Sequence, residues 1–195
     1  EMSRGLGDVY KRQGIYNFCQ TIFNLPCSLI TPITISIIPT VTAALTKGNT
    51  AGARHTEESA VRTMSLIAMP CAVGLAVLSE PVIRLLARNY GPESVATAAP
   101  ILAYLGIAVI FNSTVLLFNA IMQAHGDVTT PVVNMLIGGV VKVVVNYILV
   151  AIPSLNIIGA AIGTIVCYVT ITVLDLIAMR RTVTTHPAVA RNLIR

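Results

Sequence analysis

The sequence has no tryptophan, only 5% aromatic residues and only 11% charged residues. Soluble domains carry roughly 25% charged residues, so a soluble globular domain is excluded. The net charge of +5 does not indicate nucleic-acid binding, because Lys and Arg form no basic patch interleaved with aromatic side chains. Hydrophobic residues make up 55% of the chain, and its mean hydropathy is +0.80. We therefore interpret it as an integral membrane protein whose partners include membrane lipid but no nucleic acid.

Cysteine and histidine are too few and too scattered to indicate a metal or catalytic site. The cysteines lie in or at apolar segments, without the paired spacing of a zinc or redox motif: Cys19, Cys27, Cys71 and Cys167. We interpret them as small membrane-helix residues. The histidines lie in loops and in the tail and are predicted to be solvated: His55, His125 and His186. No metal, cofactor or catalytic residue is expected, so the chain is not predicted to be an enzyme.

Apolar residues come in blocks long enough to cross roughly 30 Å of hydrocarbon as helices, and not in alternating strands. The predicted fold class is an all-α, polytopic transmembrane helical bundle. Its five spans are expected at about 20–45, 60–79, 96–122, 132–152 and 157–178. The first span should be kinked by Pro26, Pro32 and Pro39. A polar loop is expected over 46–59, and a short amphipathic helix at the membrane interface is expected near 81–94.

The two ends of the chain differ in texture from the spans. Residues 1–13, EMSRGLGDVYKRQ, have no apolar core and are not a signal peptide. The string GLGDVYKRQ looks like a translated sequence scar, so we interpret 1–13 as a non-native leader and the chain as a fragment of a longer protein. The membrane bundle then covers 14–179, and a basic tail covers 180–195.

The distribution of Lys and Arg predicts the orientation of the bundle. Seven basic residues share the side that holds the first loop, the third loop and the tail: Lys47, Arg54, Arg62, Arg180, Arg181, Arg191 and Arg195. The other side has two, or five if the leader is genuine: Arg84 and Arg88, then Arg4, Lys11 and Arg12. Cytoplasmic loops carry the excess of basic residues, so the tail is predicted to be cytoplasmic.

The most informative residue is Lys142, in the middle of the span VVNMLIGGVVKVVVNYILVAI. A central Lys costs roughly 3 kcal/mol on the translocon scale. The thirteen Val, Leu and Ile residues of this span return roughly 4 to 8 kcal/mol, so the charge is carried into the bilayer. Asn134 and Asn146 share its broad helix face. That face is the candidate lining of a transport cavity, because lipid offers an ammonium group no partner.

Four further polar residues are candidates for the same cavity. Asn119 and Gln123 fall on one face of the third span, and Asn24 and Thr31 belong to a polar stripe on the first span. Hydrogen bonding between helices is the alternative interpretation for all four. The predicted substrate-binding residues are Lys142, Asn146, Asn134, Asn119, Gln123, Asn24 and Thr31.

Four motifs, in order and spacing, carry a family resemblance over roughly 14–178. They are FNLPCSLITPITISIIPTVTAAL, LSEPVIRLLARNYGPES, NAIMQAHGDVTTPVVNMLIGGVVKVVVNYILV and IPSLNIIGAAIGT. Together they resemble the later half of bacterial polysaccharide flippases of the stage V sporulation protein B type. These belong to the multidrug/oligosaccharidyl-lipid/polysaccharide exporter superfamily, which also holds the lipid II flippase MurJ.

The resemblance implies a partial second lobe of a fold with about fourteen spans. It implies alternating-access movement of a lipid-linked, pyrophosphate-bearing oligosaccharide across the bacterial cytoplasmic membrane, with the N-terminal lobe of the same polypeptide as partner. Lys142 matches a lysine usual in the sporulation-protein branch and would meet a phosphate; pairing with an acid or carbonyls of the other lobe is the alternative. Gln20 and Thr21 stand where the lipid II branch has an acidic and basic pair, which argues against a strict lipid II assignment.

Three other functions remain open at this point. A cation-coupled multidrug exporter of the same superfamily usually needs a buried carboxylate. The spans offer only Asp175 and Glu80, both expected near helix ends. An intramembrane enzyme would need a nucleophile and base or a metal set at membrane depth, and none is apparent. A purely structural subunit would leave Lys142 and the polar stripes without a purpose.

Overall fold

The computed structural model describes residues 2–87, 91–151 and 157–183, and its regular secondary structure in these ranges is entirely helical. The helices are α1 (Met2–Thr46), α2 (Thr50–Val77), α3 (Ser79–Leu86), α4 (Pro92–Ala124), α5 (Thr129–Val150) and α6 (Ile158–Thr182). All but α3 are long and apolar enough to cross a membrane. The predicted all-α bundle with five spans is confirmed, and α3 is the predicted short helix between the second and third spans.

The helices extend further than hydropathy predicted, and the polar loop expected over 46–59 is wrong for most of its length. Only residues 47–49 separate α1 from α2. The side chain of Asn49 accepts a hydrogen bond from the Gly52 backbone N–H at 2.8 Å and so caps α2. Arg54 and Glu58 form an ion pair at 3.0 Å one turn later. Polarity here marks where the helix leaves the hydrocarbon, not where it ends. The residues 2–13 are likewise helical, as the start of α1.

Helix α1 runs without interruption through Pro26, Pro32 and Pro39. Most of its hydroxyl groups bond to carbonyls of the same helix, as Thr31 does to Cys27 at 3.0 Å and Thr40 to Ser36 at 2.9 Å. Such bonds satisfy a polar side chain without a partner helix. The polar stripe of α1 is therefore compatible with exposure, and it is not evidence of packing by itself.

Helix α4 is the centre of the bundle. In its most apolar window 61% of the residues are buried, against 11% in that of α5. It packs against α1, α2, α3 and α6. Between membrane helices close packing replaces the hydrophobic effect as the main attraction, and small residues allow it. At Gly106 an added methyl group would lie 2.8 Å from the backbone N of Ala76, so α2 and α4 touch through their backbones there.

Polar side chains tie together the helix ends at one end of the bundle. Thr42 near the end of α1 donates to the Ala124 carbonyl at the end of α4, at 3.0 Å. Thr182 at the end of α6 donates to Asp127 at 3.3 Å. Asp127 also accepts from Thr130, and this hydrogen bonding holds the pKa of its carboxyl below the usual value. The first loop, the third loop and the end of α6 thus share one end, as the charge count requires.

One histidine contradicts the expectation of solvated histidines. His125 has a side chain only 3% exposed, and its Nε2 lies 2.8 Å from Oε1 of the fully buried Glu57. The sequence separates these residues by 68 positions, so their pairing leaves no local signal. His55 is exposed as expected. His186 and the rest of the tail from 184 onward lie outside the described residues.

Candidate substrate-binding site

Helices α5 and α6 pack antiparallel along their length in a regular register. Nδ2 of Asn134 on α5 donates to Oδ1 of Asp175 on α6 at 2.8 Å. Gly138 lies four residues after Asn134 on α5, and Ile171 lies four residues before Asp175 on α6. A methyl group added to Gly138 would collide with the side chain of Ile171. The face of α5 predicted to line a cavity is thus packed against α6 over this part of its length.

Lys142 lies one turn beyond Gly138, and the register sets it level with Cys167. The side chain of Lys142 is half-buried. It makes no hydrogen bond and no ion pair with any residue in the described part of the chain. An ammonium group in hydrocarbon needs a hydrogen-bond acceptor, a counter-ion or water. The main chemical feature of α5 is therefore that the described residues give the Lys142 ammonium no such partner.

Asn146 lies one turn further on and is also half-buried. Its side-chain oxygen occupies the space beside Gly163, where a Cβ would overlap it. That oxygen is buried and has no hydrogen-bond partner among the described residues. Lys142 and Asn146 are therefore adjacent polar groups at the α5–α6 seam. Among the described residues Lys142 has no counter-ion, and the side-chain oxygen of Asn146 has no donor.

Asn134 and Asn119 are buried between helices and not in a cavity. Asn134 is only 7% exposed and bonded to Asp175. Asn119 on α4 is 8% exposed, and its Nδ2 lies 3.6 Å from Sδ of Met135 on α5. Both contacts support the interpretation as hydrogen bonding between helices. The same holds for Asn112, which donates to Sγ of Cys27 on α1 at 3.0 Å.

Asn24, Thr31 and Gln123 do not come together with Lys142. Helix α1 makes no backbone contact with α5. Asn24 is exposed, and Thr31 is half-buried and bonded within its own helix. Gln123 is exposed near the end of α4. The seven predicted residues therefore form one adjacent pair, Lys142 and Asn146, two interhelical contacts, and three positions elsewhere on the surface of the described bundle.

Two side-chain contacts between α1 and α6 were not anticipated from the sequence. The hydroxyl of Tyr16 lies 3.2 Å from that of Thr164. The rings of Phe23 and Tyr168 stack with centroids 6.2 Å apart. The backbones of α1 and α6 do not approach each other closely, because α4 packs against both. These long side chains therefore bridge the gap between α1 and α6. The side chains of Thr164 and Tyr168 on α6 thus face α1.

Asp175 corrects a further expectation. It was expected near the end of its helix, where an acid is tolerated, but it is fully buried at the α5 contact. The signal was present in the run VLDLIAM, in which the carboxylate has only apolar neighbours. A membrane-embedded carboxylate of this kind is a functional candidate by default.

A cavity near ionisable groups lies away from these residues. It has a volume of about 620 Å³ and opens between the start of α1, at Lys11, Gly14 and Ile15, and the start of α4, at 91–94. None of the seven predicted residues lines it. Within the described ranges no three His, Cys, Asp or Glu side chains converge as metal ligands would.

Five long apolar helices joined by buried polar contacts define a multi-pass α-helical membrane protein. The fold is similar to that of a multidrug resistance MATE family transporter of the MOP superfamily, solved in an inward-facing conformation. The TM-score is 0.75 at 14% identity, and the match covers 92% of this chain and 45% of that one. At this identity the likeness shows the fold alone.

The chain belongs to the lipid II flippase MurJ family, whose family model matches residues 12–193. It is 28% identical over 170 residues to lipid II flippase MurJ of Bacillus subtilis (strain 168), covering 84% of this chain and 30% of that protein. It is 29% identical over 153 residues to a probable lipid II flippase MurJ of Rhizobium meliloti (strain 1021), covering 76% and 28%. The chain thus spans less than a third of the length of these relatives.

These findings confirm the predicted superfamily and the location as a multi-pass protein of the bacterial cytoplasmic membrane. They name MurJ relatives and do not separate out the sporulation-protein branch. That branch assignment remains a prediction.

Proposed function

We propose that this chain is part of a flippase that moves a lipid-linked cell-wall or polysaccharide precursor across the cytoplasmic membrane by alternating access. Membership of the MurJ family supports this proposal, since the relatives are named as lipid II flippases. The single observation that carries it is Lys142, a half-buried cation on a membrane-spanning helix without a counter-ion among the described residues. A transporter of this kind needs no covalent chemistry from the chain.

The role proposed for Lys142 is to neutralise the phosphate or pyrophosphate of the substrate. A contact between an ammonium and a phosphate oxygen is a charge-assisted hydrogen bond, and it strengthens where water is scarce. Asn146 lies one turn away and offers its amide to a neighbouring sugar or phosphate oxygen. The alternative partner for Lys142 is an acid or carbonyl group of the N-terminal lobe.

The substrate we propose is a pyrophosphate-linked oligosaccharide lipid, a class that includes lipid II but is broader. The MurJ relatives favour lipid II. Gln20 and Thr21 favour the broader class, because neither supplies the charge of the acidic and basic pair expected for the lipid II branch. Membership of the sporulation-protein branch is part of this proposal.

The exposed polar face of α1 supports an N-terminal lobe as the partner of this bundle. Asn17, Thr21, Asn24 and Ser28 are all exposed and follow one another at helical spacing. An exposed Asn facing lipid would leave amide hydrogen-bonding groups unpaired. We therefore propose that this face meets the other lobe across a water-filled cavity.

Reconstitution of the full-length protein in vesicles tests the proposed function. We expect it to translocate a fluorescent pyrophosphate-linked sugar lipid and to leave the efflux of a cationic dye such as ethidium at the level of empty vesicles. The dye assay tests the alternative function, export of drugs, because a multidrug resistance transporter has a similar fold. Efflux of the dye without movement of the sugar lipid would reject the flippase.

A further inference from the structure

The junction of α4, α5 and α6 holds a carboxylate that is only half satisfied. Asp175 is 0% exposed. Its Oδ1 accepts the hydrogen bond from Asn134, and its Oδ2 is buried with no hydrogen-bond partner in the described ranges. A buried polar atom without a partner destabilises the fold, and more strongly when it is charged.

A second unpaired oxygen lies at the same junction. Asn119 on α4 contacts Met135, the residue that follows Asn134 on α5, and its own Oδ1 is buried without a partner among the described residues. Asp175 Oδ2 and Asn119 Oδ1 are both acceptors when the carboxylate is ionised. Each of the two oxygens therefore lacks a hydrogen from any described residue.

No positively charged side chain in the described ranges forms an ion pair with Asp175. The ionisable groups on the packed elements are Glu93 and Tyr104 on α4, His125 and Asp127 between α4 and α5, Lys142 and Tyr147 on α5, and Cys167, Tyr168, Arg180 and Arg181 on α6 itself. None of them forms a hydrogen bond or ion pair with Asp175 within the described ranges. An isolated buried carboxylate neutralises in preference to remaining charged.

A metal cation fits this junction less well than a proton does. Hard cations take about six oxygen ligands. The junction offers the free oxygens of Asp175 and Asn119, together with the amide oxygen of Asn134, as side-chain ligands. A single hydrogen on Asp175 converts its Oδ2 from acceptor to donor and resolves both unpaired atoms at once.

We propose that Asp175 is a proton-binding site, with its protonated Oδ2 donating to Asn119 Oδ1 and its Oδ1 accepting from Asn134. The proton is released when α5 separates from α6 and water reaches the carboxyl group. Its use in driving transport rests on the proposed function, whereas its binding does not.

Infrared difference spectroscopy of the full-length protein in lipid nanodiscs at neutral pH tests the site directly. We expect the C=O stretch of a protonated carboxylic acid that is lost in Asp175→Asn. The matched control is Glu80→Gln, because Glu80 is an exposed acid paired with Arg84 at 2.7 Å; it should leave the band unchanged. Absence of a difference between the parent protein and Asp175→Asn would overturn the proposal.

A second variant keeps the test decisive should Asp175→Asn fail to fold. Asn119→Leu removes the proposed acceptor while keeping the acid, so the band should remain and shift to higher frequency. An unshifted band would overturn the assignment of Asn119. Loss of the carboxylic acid band of the unsubstituted protein when sodium replaces choline at constant pH would show that Asp175 binds a metal cation. That result would overturn the proposal that it binds a proton. A band without any lipid translocation would reject the flippase and leave the proton site standing.

Discussion

Replacing Lys142 with methionine will lower the rate at which the full-length protein translocates a pyrophosphate-linked lipid far more than replacing it with arginine will. Methionine keeps the length and apolar stem of the side chain but removes the charge. Hydrogen bonds to charged groups contribute about 1.5 to 3 kcal/mol, so a loss of about 10- to 100-fold in rate is expected for methionine. Initial rates in reconstituted vesicles measure it.

The matched control for this substitution is Val143→Met. Val143 is the next residue along α5 and is 68% exposed, on the outer surface of the described bundle. We expect it to leave the rate unchanged. Equal rates for the methionine and arginine variants of Lys142 would show that its charge has no role in phosphate recognition.

Gly138→Leu will separate α5 from α6 and destabilise the protein by about 1 to 3 kcal/mol, the range typical of overpacking a tight contact. Even the first added carbon would collide with Ile171. The change also disturbs the neighbouring Asn134–Asp175 hydrogen bond. The midpoint of thermal unfolding in detergent measures the loss. Unfolding is monitored by the labelling of the buried Cys167 thiol, which becomes accessible as the helices separate.

Gly139→Leu is the control that isolates the helix contact. Gly139 lies next to Gly138 in the same helix, but an added Cβ meets no atom within 4 Å. The two substitutions therefore change helix propensity and hydropathy by the same amount. They differ only in that the side chain at 138 faces α6 and the side chain at 139 does not. We expect Gly139→Leu to change stability by less than about 0.5 kcal/mol. Equal destabilisation by both would mean that α5 does not pack on α6 through Gly138.

The sequence predicted the number and order of the spans because hydrocarbon imposes a length and an apolar composition on every helix that crosses it. It predicted the helix ends less well. Residues 50–59 are polar yet helical, because a capped helix with internal ion pairs continues into water. Hydropathy reports the boundary of the membrane, and capping reports the boundary of the helix.

The candidate site was harder to predict, because partners across helices carry no local signal. The sequence places Asn134, Lys142 and Asn146 on one face of α5, but it could not tell a cavity wall from a packed seam. Asn134 turned out to be bonded to Asp175, 41 positions away. The pair of Glu57 and His125 was missed for the same reason. Only the isolation of Asp175 among apolar residues was visible beforehand.

The central claim is that the ammonium of Lys142 meets water at membrane depth, and cysteine accessibility tests it most directly. In a full-length background without other cysteines, Lys142→Cys and Val143→Cys are exposed to a membrane-impermeant, water-soluble thiol reagent. We predict that Lys142→Cys is labelled and that lipid-soluble substrate slows the labelling, while Val143→Cys stays unlabelled. Complete protection of Lys142→Cys with and without substrate would contradict the account.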